Sequence, residues 1–199
     1  MSELLEVIKT RKSTKAFLDK EVPLELIEQI VEAGTYAPTG RNLQSPIIVA
    51  VTNKEIRDQL SKMNASIMNA KTDPFYGAPV VLIVLASKDV NTYIYDGSCV
   101  MENMMLAAHS LGLGSCWIHR AKEEFESEEG KALLQQWGIE GNYEGIGHVV
   151  LGYNKVEPTT ETITIKVEGN VINFYYTKRT DLSYTVNYLE QGTDKELAP

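Results

Sequence analysis

Cysteine is scarce in this chain. The two thiols among 199 residues, Cys99 and Cys116, make neither a disulfide framework nor a metal-ligand spacing, and both read as ordinary buried thiols. Long apolar runs are missing as well, and none approaches the roughly 20 residues that a bilayer-spanning helix needs, which excludes the membrane as a partner. The opening MSELLEVIKTRKS has no apolar signal core, so the cytoplasm is the expected compartment. Positive charge is in the minority, 19 Lys and Arg against 27 Asp and Glu for a net charge of -8, so nucleic acid is a poor general partner and any anion site must be compact. Repeats and low-complexity segments are absent too. What is present, 43% apolar and 23% charged residues, is the composition of one soluble globular domain of ordinary size. Residues 1–199 are read as that single domain, with 155–199 a C-terminal hairpin and arm.

The stretch that organises the rest runs from Asp96 to Ile118. At helical spacing Val100, Met101, Met104, Met105, Leu106, Ala107, Ala108 and Leu111 cover most of the circumference, so this helix must be buried nearly all round. It can pack on the sheet alone, or on its own sheet and a second subunit, and we favour the second. Asp96 is available as its N-cap and Gly112 as the left-handed residue that ends it, with Leu113 closing back on the last turn.

Upstream, Leu4, Leu5 and Ile8 form the stripe of a short helix that delivers Arg11, Lys12, Ser13, Thr14 and Lys15. Taken alone this is a solvated basic loop or a phosphate grip; arginine's planar fork, a serine hydroxyl and lysine point charges suit a phosphomonoester. Val22-Pro23 opens a helix that closes at Gly34. The loop from Ala37 to Pro46, APTGRNLQSP, leads into the strand Ile47–Val51 and reads equally as a connector or a binding loop. Lys54–Ala70 is expected to be a helix. Pro79–Ala86 is an unbroken apolar run, the expected sheet centre. A strand over Ser115–His119, one amphipathic helix over Glu123–Trp137 and a buried strand over Gly147–Tyr153 follow. Thr162–Val167 and Val171–Tyr176 alternate around Glu168-Gly169-Asn170 as a hairpin, and the tail from Leu182 onward has little pattern.

The order of Arg11-Lys12-Ser13-Thr14-Lys15-Ala16-Phe17, a Pro-started helix, Ala37-Pro38-Thr39-Gly40-Arg41-Asn42-Leu43-Gln44-Ser45-Pro46, Gly112-Leu113-Gly114-Ser115-Cys116-Trp117-Ile118 and Gly152-Tyr153 resembles the nitroreductase-like family of FMN-dependent oxidoreductases, over roughly Leu4 to Tyr153. The resemblance implies an α+β fold, a central mixed sheet flanked by helices, and a homodimer with the long central helix at its interface and an FMN in each of two shared crevices. It places Arg11, Lys12 and Ser13 at the phosphate and Lys15 at the pyrimidine end of the ring, where a cation favours the reduced flavin. Pro38, Thr39, Gly40 and Asn42 approach from the other subunit, and Asn64 is carried to the pyrimidine edge. Gly114, Trp117, Ile118 and His119 line the ring through their backbone, with an N–H directed at flavin N5. Lys166 is the nearest basic residue for a C-terminal phosphate contact. His109 and His148 read as structural.

The implied activity is ping-pong transfer of electrons from NADH or NADPH to a small oxidised acceptor, nitroaromatic or quinone, without a protein acid or base. Three other readings stand beside it: same-fold flavin chemistry such as reductive dehalogenation, a flavin-binding sensor or store that nicotinamides do not reduce, and a structural dimer that has lost the cofactor. The chain has no Rossmann glycine fingerprint from which to choose between the two nicotinamides.

Overall fold

The computed structural model describes residues 2–155 in full and the backbone of 165–168 and 171–174. Two compact units emerge, residues 1–157 and 158–199.

The first unit is built on four strands, β1 (Pro46–Val51), β2 (Val80–Ser87), β3 (Gly114–Ile118) and β4 (Tyr143–Gly152), in the order β1-β2-β4-β3. All three pairings are antiparallel, and parallel pairing enters through the isolated bridge between Ser13 and Ser115. The apolar run of β2 is central, as its composition requires. Its residues alternate between two cores, Leu82, Val84 and Ala86 on one face and Val81, Ile83 and Leu85 on the other, so neither face is left for water.

Helices α1 (Glu3–Thr10), α2 (Leu24–Thr35) and α4 (Tyr93–Ser110) belong to one face; α3 (Lys54–Ile67), α5 (Ala121–Glu126) and α6 (Glu128–Gln136) belong to the other. Helix α4 ends as expected. Gly112 sits at φ 77, its N–H donates to the His109 carbonyl, and Leu113 N–H reaches back to Ala108, closing a Schellman motif around the buried Leu113.

Several local expectations are corrected. Asp96 does not cap α4: the helix begins at Tyr93, four residues earlier than that cap implies, because Thr92 takes the cap position and Asp96 turns inward, accepting from the Thr92 hydroxyl (2.9 Å) and from Gly40 N–H (2.9 Å). Pro23 is the residue before α2 and not its first. Gly34 lies inside α2, where a side chain would collide with Met104 and Ile48 at 2.8 and 2.9 Å; it is glycine for close helix packing and not for a left-handed end. Helix α3 stops at Ile67, short of Ala70. The helix expected over 123–137 is two, broken at Ser127, whose side chain accepts from Gly130 N–H and restarts the chain as α6. Helix α4 in this single chain buries one face, with Val100, Met101, Met104, Met105 and Ala108 inward; Leu106 and Ala107 remain half-buried and Tyr95 is 73% exposed.

The second unit contains an antiparallel pair, β5 (Ile165–Glu168) with β6 (Val171–Phe174), in the register expected of a hairpin. The tail reading falls on residues outside those described. Among the described residues, no helix is long and apolar enough to cross a membrane, and no group of three His, Cys, Asp or Glu could hold a metal.

Candidate functional site

The basic segment leaves α1 and runs beside β3. Thr14 N–H donates to the Ser115 carbonyl at 2.8 Å, and the Thr10 hydroxyl lies 2.8 Å from His109 Nε2 at the C-terminal end of α4. The first and third motifs of the sequence are therefore neighbours. Arg11 turns its Nε toward Glu102 of α4 at 3.6 Å, Lys12 and Ser13 are half-buried, and Lys15 is exposed. Gly114 is buried where the side chains of Thr14 and Asn154 cross, joined by a 2.5 Å hydrogen bond, and no Cβ fits beneath that pair. That crossing by itself requires glycine at 114.

The loop after α2 sits at the other end of α4. Gly40 packs against Thr92 and donates to Asp96, with Pro38 and Asn42 exposed and Thr39 half-buried. Arg41, Asn42 and Gln44 all take left-handed conformations at φ 53, 55 and 49, which three non-glycine residues in four positions adopt only where surroundings impose it. Asp96 and His109 mark the two ends, and thirteen residues at 1.5 Å each separate them by about 20 Å. One chain cannot bring the loop and the basic segment together.

A cleft of about 250 Å³ opens at the end of β3, lined by Trp117, Ile118, His119 and Arg120 and faced by Met68, Asp73 and Tyr76. Behind it lies a buried polar cluster that sequence reasoning missed. Asn64, fully buried, donates one amide hydrogen to the His119 carbonyl (2.8 Å) and the other to Glu124, and accepts from Arg120 Nε (2.9 Å). Both of its donors are spent, so Asn64 is not free to bond a pyrimidine edge. That expectation is corrected: Asn64 acts on the cleft through the His119 carbonyl. Glu124 and His148 are fully buried side by side, Oε2 to Nε2 3.1 Å, with His148 ringed by Phe75 and Phe125; those two atoms and His148 Nδ1 complete no hydrogen bond.

The far wall of the cleft is held by Asp73. Its carboxylate accepts from Arg57 (2.5 Å), Ser61 (2.6 Å) and the N–H groups of Phe75 (2.8 Å) and Gly77 (2.7 Å). Burial opposes its ionisation, but these four donors outweigh burial and hold the carboxyl below its usual range. Arg120 and Tyr76 were legible only as neighbours of Trp117–His119 and of Pro74; Glu124 carried no signal, because a glutamate in an amphipathic helix reads as solvated. Lys166 lies in β5, and its side chain is outside the described residues.

Three comparisons bear on this arrangement. The profile of the Nitroreductase family matches residues 8–153. A protein of Archaeoglobus fulgidus with the provisional name NADH dehydrogenase/NAD(P)H nitroreductase is 33% identical over 162 residues, covering 79% of this chain and 88% of its own. Among solved structures, a nitroreductase with bound FMN from Bacteroides fragilis superposes with a TM-score of 0.74 at 29% identity, covering 86% of this chain and all of its own. Another with bound FMN, from Desulfitobacterium hafniense, gives 0.72 at 25%, with 81% and 95% covered.

Proposed function

The chain belongs to the nitroreductase family, and on that premise we propose that it is an FMN-dependent oxidoreductase carrying electrons from NADH or NADPH to a small oxidised acceptor of nitroaromatic or quinone type, as a homodimer. The observation that carries this reading is the separation of the motifs. The loop at Gly40 and the basic segment at Arg11 stand at opposite ends of α4, so two copies packed through α4 in opposite directions would bring one copy's loop to the other's basic segment. The surface left open agrees: α1 buries none of its residues, leaving Leu4, Leu5 and Ile8 exposed, and Tyr36, Leu43, Ile94 and Tyr95 are exposed near the other end of α4. Apolar area of that kind marks an interface.

The residues present fit FMN. The half-buried run from Arg11 to Ser13 offers a guanidinium fork, a cation and a hydroxyl to a phosphate, and the cleft beyond β3 offers Trp117 and Ile118 among polar neighbours. FMN, when bound, supplies two-electron transfer with nicotinamide and acceptor in turn. The protein's part is placement and charge. Arg11 exchanges the partial pairing with Glu102 for a fuller ionic partner, and Lys15 brings a cation to the ring's pyrimidine end. Pro38, Thr39, Gly40 and Asn42 serve the site of the second copy. Trp117, Ile118 and His119 act through the backbone, and Asn64 fixes that backbone by holding the His119 carbonyl. No side chain need exchange a proton.

The test is optical. Purified protein mixed with FMN and desalted should stay yellow, bleach anaerobically with NADH or NADPH, and recover with a quinone, while light scattering reads a dimer. Protein that stays colourless and monomeric overturns the reading. Arg11→Ala should weaken FMN binding by roughly 10-fold or more through loss of a charge-assisted contact; unchanged affinity would place the phosphate elsewhere.

A further inference from the structure

Three fully buried polar side chains, one each from α3, β4 and α5, meet behind the end of β3: Asn64, His148 and Glu124. They close a ring of contacts. His148 stands across the sheet from Ile118, the last residue of β3, and its Nε2 lies 3.1 Å from Glu124 Oε2. The other carboxylate oxygen, Oε1, accepts from Asn64 Nδ2, and the same nitrogen donates to the carbonyl of His119, the residue that follows Ile118, at 2.8 Å. Asn64 Oδ1 in turn accepts from Arg120 Nε at 2.9 Å, so one amide grips two successive residues just beyond the strand.

Stability does not account for this ring. Glu124 Oε2 and both nitrogens of His148 complete no hydrogen bond, and His148 is flanked by Phe75 and Phe125 at ring-centroid distances of 5.3 and 6.3 Å. Polar atoms buried without partners oppose folding, and apolar side chains of like volume would fill the same space at lower cost. What the ring supplies is position. Helix α5 has six residues, too few to hold its own place, and it is seated on the sheet by backbone contact: a Cβ on Gly145 of β4 would come within 2.3 Å of the Ala121 carbonyl oxygen. Glu124 thus projects from a fixed backbone, and Asn64 carries that fixed point to the His119 carbonyl. The turn it holds is strained, since Arg120 stands at φ 79. A peptide unit is planar, so holding the His119 carbonyl sets the whole His119–Arg120 peptide.

We propose that Glu124 is a positioning residue for the flavin: through Asn64 it fixes the His119–Arg120 peptide against which the ring is set, and His148 seats its second oxygen. This deepens the oxidoreductase reading and rests on it for the presence of FMN. Being fully buried, Glu124 meets neither flavin nor substrate and takes no part in electron transfer. Its task is to offer an oxygen to Asn64, so glutamine of the same length serves and leucine does not.

The experiment titrates FMN against the parent, Glu124→Gln, Glu124→Leu, Asn64→Ala and the double variant Asn64→Ala/Glu124→Leu, reading Kd from flavin fluorescence. Glu124→Leu should weaken FMN binding roughly 10-fold, and Glu124→Gln should stay within about 2-fold of the parent. The double variant should bind within about 2-fold of Asn64→Ala, because the two residues act in series. Parent affinity in Glu124→Leu, equal losses for Gln and Leu, or additive losses in the double variant overturn the proposal. Hydrogen exchange of the FMN-free proteins separates position from stability. In Glu124→Leu, residues 118–125 should exchange roughly 10-fold faster while β2 keeps the parent's protection; equal acceleration in both counts against it. If Glu124→Leu does not fold, Glu124→Asp takes its place: one methylene shorter, it keeps the carboxylate and withdraws the oxygen, so it should bind FMN more weakly than Glu124→Gln, and equal affinity overturns the proposal. A parent that binds no FMN removes the flavin reading and this assignment with it; a parent and variants that bind FMN equally remove this assignment alone.

Discussion

The two faces of the sheet solve burial in different ways. On the face of α3, α5 and α6, polar groups are taken inside and most are matched within the chain: Arg57 with Asp73 and the Ala78 carbonyl, and Asn64 with Glu124, Arg120 and His119, while His148 lies between two aromatic rings. On the face of α2 and α4, methionines and small residues do the packing, and the outer half of α4 together with all of α1 is left incompletely covered. The first face is finished by its own sequence. The second is left open, and in the proposed dimer another copy would cover it, in keeping with the use of exposed apolar patches as interaction sites. The proposed dimer seam and the buried polar cluster around Asn64 thus lie on different faces, and each can be broken without the other.

The largest expected effect is on the self-contained face. Glu124→Ala leaves one amide hydrogen of the fully buried Asn64 without its acceptor and opens a gap beside His148, and chemical denaturation should register a loss of about 3 kcal/mol. Gly34→Val attacks the packing of α2 on α4, where even a Cβ meets Met104 and Ile48, and should cost about 2 kcal/mol by overpacking.

Asp73→Asn is milder, about 1–2 kcal/mol, because that carboxylate is a third exposed. It also removes a pH dependence of known sign. The folded pKa of Asp73 lies below the ordinary value of 3.8, so its contribution is complete above about pH 5 and is lost as the pH falls through 3.8 toward the lowered value. Denaturation curves of the parent between pH 5 and 3 should carry that slope, and those of the variant should show less of it.

Leu106→Glu tests the opposite face. The residue is half-buried in the single chain, so folding should change by less than about 0.5 kcal/mol while light scattering reports monomer and FMN retention drops. A variant that remains dimeric and yellow would put the interface elsewhere. At the bottom of the scale, Lys54→Ala removes an exposed i,i+4 pair with Asp58 and should leave the Tm where it was.

Periodicity made the elements legible, and contacts made the corrections. The run Pro79–Ala86 could only be a strand covered on both sides, and Gly112 could only end a helix, because each signal is local and nearly without alternative. Ser127 was hidden because a serine inside an amphipathic pattern does not announce that the chain will restart there; the restart needs the hydroxyl to find Gly130 N–H. Asn64 misled for a related reason. An amide at the end of a helix suits a ligand edge and a buried carbonyl equally well, and the choice was made by Glu124, Arg120 and His119, between 55 and 60 positions away.

The chain alone determined which segments would be helix or strand, where the positive charge would collect, and that α4 carries more apolar surface than one face can use. These follow from side-chain spacing, which folding does not alter. Only the tertiary structure decided that the Gly40 loop and the Arg11 segment stand about 20 Å apart in one chain, and that Arg120 is held strained at the rim of a cleft. Such facts depend on which distant groups meet, and hydrogen bonds across β3, α3 and α5 select those meetings after the local pattern has done its part.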